Sequence, residues 1–523
     1  MKKFIYFFVT IFIISMTSVS CNDLLKPQIY SSFTDSNFPS DAKDLDGLVY
    51  GLYSYFGPGW GPIDPVNDKN KMWGMIHCMN SWYNLSEAAS DEMYDPWLQT
   101  SGITNFNWGP ALDKLNFQAC YSRVSMVAQC TSIIQTLGKN TILQQAQKNK
   151  AIAEVKCLRG WMMFYLYDFY GAVDVKITEE SLLETGYHPR PTDQQFFDWI
   201  VKDLTEALPY LPSNNNNLQD WGKVNKGLAE MLLLKLYMNK HDWKNALVYV
   251  KDLKTLGYSL QADYNDVFRV EMNSELIFAC PSAKVAPSSG QYDPYNIVDF
   301  LPSTTGTILG INVAGSKVAP WNGPTMRWSF FNTFSSVDKR KHGIATSFMT
   351  KDSLIVKGDS TPGAVNPAAF SNGPIVVKWT PGKGLTGEKI LNREYMVDYF
   401  RYSDVLLSEA EILNEINGGP TSDAINALKE ITDRAGTSDT PDAKKALSTS
   451  CSYQDFKDFL LAERGRELYW SGLRRMDLIR FGKYQEVAKQ LGGKDFSDRI
   501  VKFPIPPSVI IESGSVYKNN PGY

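Results

Sequence analysis

The chain has 523 residues, 43% of them hydrophobic and 13% aromatic, which is enough apolar material for one large core or two smaller ones and excludes disorder. Its net charge of −3 becomes −5 without Lys2 and Lys3, 51 basic against 56 acidic residues. No basic field therefore draws nucleic acid, which is excluded as a ligand. In chain order, residues 1–20 read as a secretory leader: Lys2 and Lys3, an apolar run from Phe4 to Ile14, then a small polar stretch from Ser15 to Ser20. The run is too short to span a bilayer. Cys21 stands where cleavage would fall and predicts acylation of the thiol, with two or more acyl chains anchoring the mature chain. Cys78, Cys120, Cys130, Cys157, Cys280 and Cys451 form no C-x-x-C pair and have no histidine at ligand spacing. Neither a metal site nor a cofactor is indicated, and buried free thiols are expected.

Apolar residues at helical spacing predict a helix from Asp41 to Phe56, ended by Gly57, Pro58 and Gly59. A loop follows over 57–71, and Trp73 to Met93 resumes a helical pattern. Residues 94–110 form a second loop that holds Trp97 and Trp108. Two long helices, Ala111 to Leu137 and Ala146 to Tyr170, predict a helical hairpin. Thr192 and Gln195 make a capping box for a helix running to about Leu208. Leu228 to Gly257 resembles a tetratricopeptide repeat, and Tyr395–Asn417 with Thr421–Ala435 pairs in the same way. Between Ser259 and Arg393 apolar runs shorten, as at Glu275 to Ala279 and Pro374 to Trp379, amid Gly, Pro, Ser and Thr. Long loops with small strands are expected there.

The segment from Glu463 to Gly482 carries five arginines and three acids among Leu468, Tyr469, Trp470, Ile479 and Phe481. Glu463 and Glu467 lie at i, i+4, where like charges repel unless arginines compensate them. This predicts a paired, partly buried ionic network around a helix that stops near Gly472. The segment resembles the glutamate–arginine motif near the C-terminus of the SusD/RagB family of outer-membrane nutrient-binding lipoproteins. The endings Lys502–Phe503–Pro504–Ile505–Pro506–Pro507 and Asn519–Asn520–Pro521–Gly522–Tyr523 resemble that family's ending too.

The resemblance covers residues 21–523. It implies a predominantly all-α, degenerate tetratricopeptide-like helical scaffold with long loops and a few short strands. The expected division is a leader at 1–20, an N-terminal helical repeat region at 21–258, a loop-rich ligand-binding region at 259–393 and a C-terminal helical region at 394–523. It further implies no catalysis, a lipid anchor in the outer membrane facing the cell exterior, and capture of an oligo- or polysaccharide for a SusC-like TonB-dependent transporter.

Sugar rings present polar edges and apolar C–H faces, so a carbohydrate platform needs exposed aromatic rings flanked by hydrogen-bonding groups. Trp161, Trp199 and Trp243 sit on helical patterns and are assigned to packing. Trp97, Trp108 and Trp321 lie in Gly/Pro/Asn loops and are the leading ligand contacts, followed by Tyr292, Tyr295 and Trp60. Trp82, just before Ser90–Asp91–Glu92, belongs to either side and stays among the ligand candidates. Two alternatives stand: capture of peptide, and an extracellular glycosidase using Glu87 with Asp91 or Glu409 with Glu411.

Overall fold

The computed structural model describes residues 36–56, 81–96, 102–106, 120–214, 216–217, 220–270, 272–280, 301–309, 312, 322–358, 373–379, 397–493, 497–514 and 516–523, with the backbone alone at 60–61, 72–73, 101, 281, 311 and 396. Its axis is a helix of 26 residues, Gln145–Tyr170, about 39 Å long at the helical rise. From Cys157 to Leu166 every side chain of this helix is buried, so it carries no solvent face over that length and needs partners all round.

In chain order those partners begin with α1, Ala42–Tyr53, started by the Asp41 side chain accepting from the Asp44 N–H. The next are α2, Trp82–Ala88, and α3, Val124–Lys139, which forms the expected hairpin with the axial helix, α4. The Thr192/Gln195 capping box is present and opens α5, Asp193–Ala207. The repeat-like hairpin is α6, Lys226–Asn239, with α7, Trp243–Thr255. A second pair, α8, Tyr402–Asn417, and α9, Ser422–Ala435, stacks on α7, and α10, Tyr453–Leu468, packs on α8. The chain then turns through α11, Arg474–Arg480, and α12, Tyr484–Gln490. Helices in stacked antiparallel pairs with short strands between them match the expected class.

Three expected helices are shorter than their patterns, the first being α3, which begins only at Val124 after a turn at 122–123. Helix α2 covers only seven residues of the 73–93 pattern, while Met72–Trp73 and Met93–Tyr94 are strands. The helix ends because Ser90 Oγ donates to the Glu87 carbonyl at 2.6 Å and Asp91 is drawn out to Arg474. Residues 396–401 are likewise a strand, antiparallel to Leu276–Pro281, and helix begins only at Tyr402. The region 259–393 shows the expected short strands, including a four-stranded sheet in the order Ile355–Lys357, Ser347–Thr350, Thr305–Ile308, Ile311–Asn312.

One contiguous apolar cluster runs from Val49 to Tyr517. Trp161 is at its centre, stacked on Phe56 at 4.0 Å and edge-on to Phe278 and Tyr399 at 5.2 and 4.8 Å. Trp199 and Trp243 pack partly buried against the same cluster, so all three helical tryptophans serve packing. Cys130, Cys157 and Cys451 are buried free thiols, Cys120 is buried, and Cys280 is half-buried.

The ionic network is buried more completely than expected. Arg340 donates to Asp338 at 2.8 Å, Glu463 at 2.8 Å and Glu467 at 3.2 Å. Glu467 also receives Arg434, which reaches Glu275 at 2.6 Å. A second set links Lys235, Arg464 and Arg480 with Asp404, Asp477 and Glu411, three charges of each sign. Burial alone would raise Glu463, yet Arg340 and Arg466 hold its carboxyl down to about 2. Helix α10 stops at Leu468, before Gly472. Trp470 adopts φ of 53° and Gly472 φ of 76°. A side chain at Gly472 would lie 2.8 Å from the Trp82 ring, so glycine is required there by conformation and by space.

Candidate loop platform and the motif beneath it

Short strands pair Met93 with Met326 and Tyr94 with Thr325 in antiparallel register. In such a ladder the chain moving forward from Tyr94 and the chain moving backward from Thr325 leave at the same end. Residues 95–96, leading to position 97, and residues 322–324, coming from position 321, therefore leave the ladder at the same end.

Other segments meet at that end. The Asp95 N–H donates to Thr104 Oγ1 at 3.2 Å, and Arg327 Nη2 donates to the Thr104 carbonyl at 2.5 Å. This fixes residues 103–106, which lead toward position 108. The Asn322 N–H donates to the Leu301 carbonyl at 2.9 Å, and Asn322 Oδ1 accepts from the Ser303 N–H at 2.8 Å. This fixes residues 301–303, which follow positions 292 and 295 in sequence. The stems of the segments carrying the candidate rings thus converge on one hydrogen-bonded patch. Trp97, Trp108, Trp321, Tyr292 and Tyr295 themselves lie outside the described residues, as do Cys21 and the side chain of Trp60.

Trp82 is corrected. It is only 2% exposed, its ring stacks on Tyr165 at 4.0 Å, and its indole N–H donates to Asp168 at 3.3 Å. With Gly472 against its edge, both its apolar surface and its polar tip are spent inside the fold. It is a core residue and offers no platform.

The arginine-rich motif lies directly beneath the patch. Arg474 holds Asp91 through two bonds of 2.8 Å, a fork that fixes the carboxylate in plane. The Trp470 N–H donates to Glu92 Oε2 at 3.1 Å, and the Gly472 N–H donates to Glu87. The Arg327 N–H closes on the Glu92 carbonyl at 2.8 Å. Burial pushes the Glu87 carboxyl up to about 7; burial, together with the Glu87 charge, raises Glu92 well above the ordinary range. Burial also brings the Arg327 guanidinium down to about 10, near the face of Tyr94.

Three of the four glycosidase candidates are held in ion pairs, and the fourth, Glu87, is fully buried and accepts from the Gly472 N–H. Asp91 is forked by Arg474, Glu409 is paired with Lys254 at 2.8 Å and Glu411 is forked by Arg480. Among the described residues, no group of three or more His, Cys, Asp or Glu side chains is arranged to hold a metal ion. No helix among them is long and apolar enough to cross a membrane. Sequence reasoning missed Asp95, Thr104, Asn322 and Arg327, because a bond between a loop residue and a distant partner leaves no local pattern.

Stacked helical pairs closed by a buried arginine-rich motif define the class of fold, a helical repeat scaffold. The family model described as SusD family matches residues 324–523. A SusD-like protein of Formosa agariphila is 32% identical over 561 residues, covering 100% of both chains. The chain belongs to the SusD family. Two solved structures from Bacteroides thetaiotaomicron share its fold. A SusD homolog has a TM-score of 0.73 at 19% identity, with 94% of this chain and 98% of that one covered. Surface glycan-binding protein A in complex with laminarihexaose has a TM-score of 0.67 at 20% identity, with 92% of this chain and 99% of that one covered.

Proposed function

We propose that this chain captures an oligo- or polysaccharide at the cell surface, on a platform built from Trp97, Trp108 and Trp321 with Tyr292 and Tyr295. The observation that carries this reading is the common root of their loop segments at the Tyr94–Thr325 end of one short ladder. Rings tethered near one another supply stacking faces for successive sugar units, and each face tolerates several ring conformations. Capture of laminarihexaose by a relative of the same fold supports a glycan over a peptide. The engagement of Asp91, Glu409 and Glu411 in ion pairs supports binding without turnover.

A binding protein of this fold has no route of its own across a membrane, so delivery requires a channel-forming partner. We assign that role to a SusC-like TonB-dependent barrel, with this chain lying over its mouth and the loop platform facing the lumen. Acylation of Cys21 would anchor the chain in the outer membrane beside it. A glycan array on the chain lacking residues 1–20, followed by incubation with the glycans that bind, tests the reading. Binding with intact glycan recovered is expected; release of hydrolysis products, or binding only to peptides, would contradict it. Cys21→Ala is expected to move the protein to soluble fractions, and membrane retention of that variant would remove the anchor from the account.

A further inference from the structure

A second aromatic cavity lies away from the loop patch, between α1, the end of the 213–222 segment and the paired strands Leu276–Pro281 and Met396–Arg401. It encloses about 300 Å³, the lower end of the range for small-molecule sites. Phe56, Phe278 and Tyr399 make its floor and are all buried. The Tyr399 hydroxyl spends its hydrogen on the Phe56 carbonyl at 2.7 Å, so the floor presents mainly ring carbon.

The sides are different in character. Tyr50 stands at the mouth with 42% of its surface exposed, and the Lys223 ammonium lies 5.3 Å from the centre of its ring and 3.1 Å from Asp220. Trp221 lines the opposite side, and its buried indole N–H has no hydrogen-bond partner among the described residues. An unpaired buried donor is unfavourable unless a ligand or water supplies an acceptor. A purely apolar occupant would leave that donor unpaired. An extended peptide would bring amides for which the carbon floor has no partner. A pyranose fits both demands, with its C–H face on the aromatic carbon and a hydroxyl accepting from Trp221 Nε1 while another meets Lys223 or Asp220.

We propose that this cavity is a second glycan-contact site, taking one or two pyranose units of a chain held elsewhere by the loop platform. The inference rests on the reading of the protein as a glycan-capture protein, and the experiment separates the two. Laminaribiose, maltose and cellobiose, with laminarihexaose and maltohexaose, are titrated calorimetrically into the wild type, Tyr50→Ser, Trp221→Phe, Trp221→Ala and the double variant Trp97→Ala/Trp321→Ala. Tyr50 is exposed and Trp221→Phe keeps a ring, so both variants are expected to melt as the wild type does; this makes them the deciding pair should Trp221→Ala fail to fold.

The proposal expects two binding events for a disaccharide on the wild type and one on Tyr50→Ser. Trp221→Phe, lacking the N–H, is expected to lose roughly tenfold in affinity for the second event. The loop double variant is expected to keep that event and lose the other. A single event in the wild type, unchanged in Tyr50→Ser and Trp221→Phe, overturns the second site and leaves loop capture standing. No binding of any probe to the wild type overturns both.

Discussion

Glu467 concentrates the electrostatics of the C-terminal motif: it is fully buried and receives Arg340, Arg401 and Arg434. Glu467→Ala would strand those cations without their shared anion and is expected to lower stability by about 3 kcal/mol. Denaturant unfolding checks this, and a midpoint equal to wild type would mean the segment is a solvated face. Glu87 makes the opposite kind of demand. Its folded-state carboxyl titrates near 7 because burial favours the neutral form, so the folded state holds a proton that the unfolded state has released by about pH 5. Its contribution to stability is therefore greatest below the unfolded value and declines as pH rises through about 7. Thermal melts should show the wild type losing more stability between pH 5 and pH 8 than Glu87→Gln does. Equal slopes would contradict the assignment. That Glu467 sits in a paired network was legible in the sequence because Glu463 and Glu467 repel at i, i+4 unless cations compensate them; its partners were not, since Arg340, Arg401 and Arg434 all lie outside the segment. The raised Glu87 was not, since its environment depends on distant Gly472 closing over it.

At the scale of elements, α4 is where local pattern and final structure agree best. Its apolar steps are long enough to leave no doubt between helix and strand, and the caps confirm α5 and α9 in the same way. Residues 396–401 read differently because a short apolar run is compatible with either state. The arbiter is the distant Leu276–Pro281 segment, whose open edge the run completes. Trp82 shows the same limit for a single ring: position in a short helix next to a loop does not reveal that Tyr165 and Gly472 await it. Trp161→Ala, which removes the ring joining α1, α4 and both of these strands, is expected to lower stability by about 3–5 kcal/mol. Arg474→Ala should release Asp91 and, through Glu92 and Arg327, loosen the stems of the platform. Faster amide exchange at Met93 and Thr325 than in the wild type would report it; unchanged exchange would show the ladder stands without the motif.

For the whole molecule, a stack of helical pairs carries the Met93–Tyr94 and Thr325–Met326 ladder, and the arginine motif ties that ladder to the C-terminal helices through Asp91 and Glu92. The central claim is that Trp97, Trp108 and Trp321 act as one ligand platform above the Tyr94–Thr325 ladder. Isothermal titration of the best array glycan into the three single Trp→Ala variants tests it most directly. Each is expected to bind about 5- to 150-fold more weakly, a loss of about 1–3 kcal/mol, with melting temperature unchanged. Wild-type affinity in all three variants would contradict the claim.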